Sequence, residues 1–140
     1  MNRLIIFVVF FIFSAAAAAD CNVKNHEKFD GFFSKWSKNK KFSLTRTLFP
    51  IKSIEYSNNG TEAESVPVYG QISKAEVESN PSLSEYILKQ SLAYDISSVS
   101  SESATVKVFK ADTDWLYEYH FKKLQGCWYL HEVEDLSTFD

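Results

Sequence analysis

The chain has 140 residues, of which 45% are hydrophobic, 16% aromatic and 24% charged, with a formal net charge of −3. These values exclude a membrane bundle, a disordered tail, a collagen-like repeat and a two-domain enzyme. They leave one ordinary domain behind a short leader.

Residues 1–19 read as a secretory signal peptide. Arg3 precedes the apolar run Leu4 to Phe13, and Ser14 and five alanines, Ala15 to Ala19, end it. A basic start, an apolar core and an Ala-x-Ala site form the pattern that signal peptidase cuts. The apolar run is short for a membrane span, which needs about 20 residues. Asp20 argues against a lipidated Cys21. The expectation is cleavage after Ala19, a periplasmic or secreted chain without a membrane span, and a single α+β domain over 20–140. Removing the leader's 16 of 63 hydrophobic residues leaves 47 of 121, enough for one core.

The remaining chain carries 14 Lys+Arg and 18 Asp+Glu, a charge of −4. Residues 24–52 hold eight basic groups and two acids; residues 53–140 hold six basic groups and fifteen acids. The basic end reads as a solvated helix face, and an interaction surface is its rival. Export and net acidity argue against nucleic acid as a partner. Cys21 and Cys127 are the only cysteines. An even count in an oxidising compartment points to a disulfide, and without a Cys-x-x-Cys spacing the pair is not a redox centre.

In chain order, residues 25–38 have helical periodicity. Phe29, Phe32, Phe33 and Trp36 fall at i, i+3, i+4 and i+7, with Asn25 as N-cap. Lys38 to Lys41 breaks the pattern. Pro50 excludes a paired central-strand position, so the first strand is expected from Ile51 to Tyr56. Ser57-Asn58-Asn59-Gly60 marks a turn, and Asn59-Gly60-Thr61 is a glycosylation sequon. A second strand, Ser65 to Ile72, is placed at an edge by Pro67. Ser73-x-x-Glu76 fits a capping box. For the next helix, Ser82-x-x-Glu85 fits another, or Asn80 caps with Pro81 at the first position; Leu83, Tyr86 and Ile87 form its inner face. Ser97 to Ser103 is the tip of a hairpin. Ala104 to Lys110, Trp115 to Leu124 and Cys127 to Glu134 are strands, joined by turns at 111–114 and at Gln125-Gly126.

The aromatic helix, Phe42…Arg46…Phe49-Pro50, Trp115-x-Tyr117-x-Tyr119-x-Phe121 and Gly126-Cys127-Trp128-Tyr129-Leu130 together resemble small exported bacterial proteins of uncharacterised function. Those proteins have a nuclear-transport-factor-2-like (cystatin-like) α+β cone, and the resemblance spans residues 25–137. It implies helices packed on a curved antiparallel sheet, with a pocket at the wide end. It carries over no catalytic pair.

Motifs for a nucleophile elbow, a phosphate loop and a His-Glu-x-x-His zinc site are absent from the sequence. The expectation is therefore no catalytic residues, no metal and no cofactor. Phe29, Trp36, Trp115, Tyr117 and Tyr119 are the pocket or core aromatics. If Gln125-Gly126 is a two-residue turn with no irregularity beyond it, His120 faces His131, with Glu118 beside them. Two such imidazoles share a metal or repel when protonated, but Glu118 alone leaves the ligand set short for zinc; a half-packed polar face is the plainer reading. The same register sets Glu132 opposite Tyr119 as an acid in the pocket. Asp112, Asp114, Glu132, Glu134 and Asp135 gather near strand ends; Asp-x-Asp in a turn suits calcium, but the loop lacks enough oxygen ligands, and turn formation explains it better. The function these features suggest is non-enzymatic binding. In its sharpest form this is a periplasmic inhibitor or immunity protein against a cell-envelope-acting enzyme, with another protein as partner. The alternatives are a carrier or sensor of a small apolar ligand in the cone pocket, and a pocket lyase or isomerase.

Overall fold

The computed structural model describes residues 21–57 and 65–137. The leader, the turn at Asn58 to Gly60 and the sequon lie outside these residues. Helix α1 (Phe29–Lys38) is followed by α2 (Lys40–Thr45), β1 (Thr47–Ser57) and β2 (Val66–Ile72). Then come α3 (Lys74–Ser79), α4 (Leu83–Gln90), β3 (Ala93–Val99), β4 (Ser103–Phe109), β5 (Leu116–Leu124) and β6 (Cys127–Asp135). The six strands form one sheet in the order β2-β1-β6-β5-β4-β3. The α+β cone is the fold. Four pairings are antiparallel, whereas β1 and β6 run parallel, so the sheet is mixed.

The aromatic stripe builds the core. Phe29, Phe32, Phe33 and Trp36 are all buried against Val106, Val108, Phe121 and Trp128. Phe121 lies edge-on to Phe29, Phe32, Phe33 and Trp36, with centroids 5.2 to 6.0 Å apart. Such pairs contribute about 0.5–1.5 kcal/mol each beyond simple burial, which fixes α1 across β5. The helix starts later than its periodicity suggests. Lys28 is the N-cap and Asn25 lies in the preceding loop, because residues 22–27 pack onto the β5–β6 turn instead.

Asn39 caps α2 through a bond from Phe42 N. Residues 40–45 carry no apolar periodicity long enough to announce this helix. Strand β1 includes Pro50, which the sequence excluded from it. The proline follows a cis peptide bond and falls where the β1–β6 register slips between Thr47 and Lys52, a place that needs no amide donor. Both capping boxes are present, at Ser73–Glu76 and Ser82–Glu85, so Ser82 rather than Asn80 opens α4. β3 runs into the serine-rich stretch through Ser97 and Ser98 and pairs with β4, so the hairpin tip is shorter than expected, Ser100 to Glu102.

The Gln125-Gly126 turn has positive φ at both residues (51° and 84°) and pairs Leu124 with Cys127, the two-residue loop expected. A Cβ on Gly126 would sit 2.0 Å from Asn22 O. Glycine is required there by backbone sign and by the segment lying against it. No described helix is long and apolar enough to cross a membrane.

Candidate functional site: an aromatic-walled pocket

Trp36 leaves α1 at its last turn, β5 contributes Tyr117 and Tyr119 from its inner face, and α3–α4 cover the other side with Val77, Leu83 and Tyr86. Between them lies a cavity of about 370 Å³. That lies within the range of small-molecule sites, about 300–1,000 Å³. Ile51, Leu130 and Val133 form its floor. Trp36 and Tyr119 meet edge to face at 6.5 Å, and Trp115 tilts against Tyr117 at 4.8 Å.

The polar groups around this cavity are neutral or basic: Trp36, Tyr117, Tyr119, Tyr86, Lys40, Ser43, Thr47, Asn80 and Ser82. Among the described residues lining it there is no carboxylate and no imidazole. Trp36 Nε1 is wholly buried and has no hydrogen-bond partner among the described residues. Burial pushes the Tyr119 hydroxyl well above the ordinary phenol range, so it keeps its proton throughout the neutral range. Tyr117 is shifted the same way, by burial and by its bond to Asp135. Lys40 stands at the rim, its ammonium bonded to the carbonyls of Val77 and Pro81. Desolvation lowers its pKa, partly countered by Glu78 and Glu85. Ser43 and Thr47 spend their hydroxyl protons on Lys40 O and Ser43 O, at 2.8 and 2.7 Å.

Of the aromatics singled out in the sequence, Trp36, Trp115, Tyr117 and Tyr119 line the cavity, whereas Phe29 lies in the core against Trp128. Lys40, Tyr86 and Val133 complete it. Tyr86 is legible in the sequence as the inner face of α4; Lys40 is one of several neighbouring lysines, and Val133 takes the place opposite Tyr119 that the simple register gives to Glu132.

That exchange has one cause. The β5–β6 register shifts after Phe121–Leu130, so His131 is skipped. His120 faces Glu132, not His131, and Tyr119 faces Val133, not Glu132. Glu132 thus leaves the pocket for the opposite face of the sheet, where it pairs with Lys52 at 2.7 Å. The acid expected opposite Tyr119 is therefore not in the pocket. Glu118 and His120 remain neighbours and are joined by Glu134: His120 Nε2 lies 3.6 Å from Glu118 Oε2 and 3.3 Å from Glu134 Oε2. His131 sits apart with its pKa lowered by desolvation and by Lys122.

Cys21 and Cys127 form a disulfide with Cα atoms 5.3 Å apart. Beside it, buried Arg46 bonds Glu27 Oε2 at 3.0 Å, Trp128 O at 3.3 Å and Cys21 Sγ at 2.8 Å. Glu27 also accepts from Trp128 N, and its carbonyl from Trp128 Nε1 at 3.0 Å. One basic residue of the N-terminal third is therefore a buried structural pin rather than a solvated charge.

No protein-family model matches the chain, and no curated protein matches it. Solved structures do. A nuclear-transport-factor-2-like protein from Bacteroides fragilis superposes with a TM-score of 0.60 at 13% identity, covering 81% of this chain and 48% of that one. The chain thus spans about half the length of that protein. A domain-of-unknown-function protein from Bacteroides uniformis gives a TM-score of 0.45 at 12% identity, covering 81% and 100% of the two chains. A cystatin-like protein from Nostoc punctiforme gives 0.37 at 12% identity, covering 77% and 71%. Helices packed on one face of a six-stranded curved sheet, with a cavity between them, make this a protein of nuclear-transport-factor-2-like fold.

Proposed function

We propose that this is an exported, non-enzymatic binding protein whose pocket takes a small, largely apolar molecule ending in an oxygen acceptor. The observation that carries this reading is the buried indole N–H of Trp36, left without a partner beside a cavity of ligand size. The N–H is closed off from the cavity, and an orphaned donor costs about 1–3 kcal/mol; a ligand oxygen that turns the Trp36 ring toward it would recover that cost. Tyr119 and Lys40 also carry protons, and none of the described lining residues carries a negative charge. A carboxylate or carbonyl on an aromatic or medium-chain body matches that set. The absence of acid or imidazole from the described lining supports binding over proton-transfer chemistry. The disulfide supports an oxidising compartment.

Native mass spectrometry of gently purified protein tests this reading. A reproducible non-covalent adduct that Trp36→Phe weakens is the expected result. A protein that carries no adduct and binds none of a panel of aromatic and medium-chain carboxylates would sink it.

A second reading is protein recognition, with the inhibitor or immunity role as its sharpest form. It is favoured by β2, an edge strand on which Val66, Val68 and Tyr69 are at least half exposed. Such an edge offers unpaired backbone groups to an incoming strand. Capture of one envelope enzyme from periplasm, abolished by Val68→Lys, is its signature; no capture above background dismisses it.

A further inference from the structure

We propose a second site on the face of the sheet turned away from the helices: Glu118, His120 and Glu134 form a binding site for a divalent transition ion of the zinc class. It is independent of the pocket, because side chains alternate faces along β5 and these residues lie between the pocket-lining ones.

The irregularity at His131 creates the site. It sets Glu134 directly opposite Glu118 across β5 and β6, with His120 next to both. Like charges so opposed destabilise a sheet, and these are half-buried, with side-chain exposures of 16% for Glu118, 17% for Glu134 and 21% for His120. The ligand atoms of the three residues all lie within 4.8 Å of one another. The two nitrogen-to-oxygen separations, 3.6 and 3.3 Å, are close to the spacing of about 3.4 Å between donors that each stand about 2.1 Å from a tetrahedral ion.

The surroundings divide each residue's atoms in a way that suits an ion. Glu118 Oε1 is held by Lys107 Nζ at 3.5 Å, and Glu134 Oε1 accepts the Tyr56 hydroxyl proton. Each carboxylate therefore keeps Oε2 for the space in front of His120. On the other side of the ring, His120 Nδ1 is 3.2 Å from Thr105 Oγ1. With Nδ1–H donated to that oxygen, Nε2 directs its lone pair between the two carboxylates, and outer partners of this kind orient metal-binding histidines and carboxylates generally. A divalent charge offsets both glutamates. Lys52, bonded to Glu132, acts on Glu134 only as a minor electrostatic partner. One nitrogen and two carboxylate oxygens match zinc's borderline preference, and the fourth position, facing solvent, falls to water. The two cysteines are bridged to each other and do not compete for the ion.

The test is calorimetric titration of zinc into the purified, chelator-dialysed protein, repeated with cobalt to read the d–d spectrum. One equivalent of zinc should bind, with a cobalt spectrum of four-coordinate intensity. His120→Ala and Glu134→Gln should each weaken binding by at least 100-fold, and Thr105→Val by about tenfold through the lost ring partner. His131→Gln, at the skipped residue, should leave it unchanged. Circular dichroism checks that each variant folds; if His120→Ala does not, Glu134→Gln and Thr105→Val still decide. Failure to bind one equivalent, binding indifferent to these substitutions, or equal losses in His131→Gln would overturn the assignment.

Discussion

Replacing Trp36 by Phe and, separately, Trp128 by Phe isolates the cost of one indole N–H. Both rings are buried, at 6% and 1% exposure, and both lose about 1 kcal/mol of apolar burial on shrinking. They differ in what the nitrogen does. Trp128 Nε1 donates to Glu27 O at 3.0 Å, whereas Trp36 Nε1 donates to nothing among the described residues. Trp128→Phe forfeits a hydrogen bond of about 0.5–1.5 kcal/mol, and Trp36→Phe removes an unsatisfied donor costing about 1–3 kcal/mol. The Trp36 variant should therefore be more stable than the Trp128 variant by about 2–4 kcal/mol, and as stable as the parent or more so. Urea unfolding of the ligand-free proteins measures this, provided the m-values agree. Equal losses in the two variants would refute the reasoning, because they would mean that the Trp36 donor finds a partner in solution.

Four other outcomes follow from the same structure. Glu27→Ala strips the partner from a buried guanidinium and should cost about 3 kcal/mol or more, read by the same urea titration. Gly126→Ala forces a side chain onto Asn22 O at positive φ; a loss of at least about 1–2 kcal/mol is expected, with Gln125→Ala as the milder control. Joint replacement of Cys21 and Cys127 by Ser should lower stability by about 2–5 kcal/mol, since the bridge spans 106 positions of chain. The fourth concerns pH. Glu76 is held below the ordinary carboxylate range by the Ser73 hydroxyl and amide, and Glu85 by the Ser82 amide and hydroxyl. The unfolded chain takes up these protons first. The contribution is therefore complete above the unfolded carboxylate pKa and is lost as pH falls through the lower folded values. Glu76→Gln with Glu85→Gln should flatten the acid side of the stability–pH curve there, and an unchanged slope would count against the capping boxes.

What could be read from residue order alone was whatever local chemistry determines. The stripe from Phe29 to Trp36, both Ser-x-x-Glu boxes and the Gln125-Gly126 turn are local patterns, and all are present. Pro67 correctly placed β2 at an edge. What escaped was set by tertiary context. Pro50 fits inside β1 because the parallel neighbour slips register beside it, and no property of Pro50 itself announces that slip. β3, the other edge of the sheet, sets Asp95, Ser97 and Ser98 among Ala93, Tyr94, Ile96 and Val99, so it shows no clean alternation of apolar and polar residues. The skipped residue at His131 leaves the composition of β6 unchanged, yet it exchanges Glu132 for Val133 in the pocket and Glu134 for His131 beside His120. One extra residue reverses every face beyond it, which is why both candidate sites were half legible: their aromatic and β5 members were found, and their β6 members were not.

The claim that the pocket is a ligand site is tested most directly by following the three indole N–H resonances while decanoate or 2-naphthoate is titrated into 15N-labelled protein. Substituting each tryptophan by Phe assigns the peaks. The Trp36 signal should move downfield and saturate as its proton gains an acceptor, while that of Trp128, already bonded to Glu27, stays in place. Trp36 unmoved at saturating probe, or all three signals drifting together without saturation, would contradict the account.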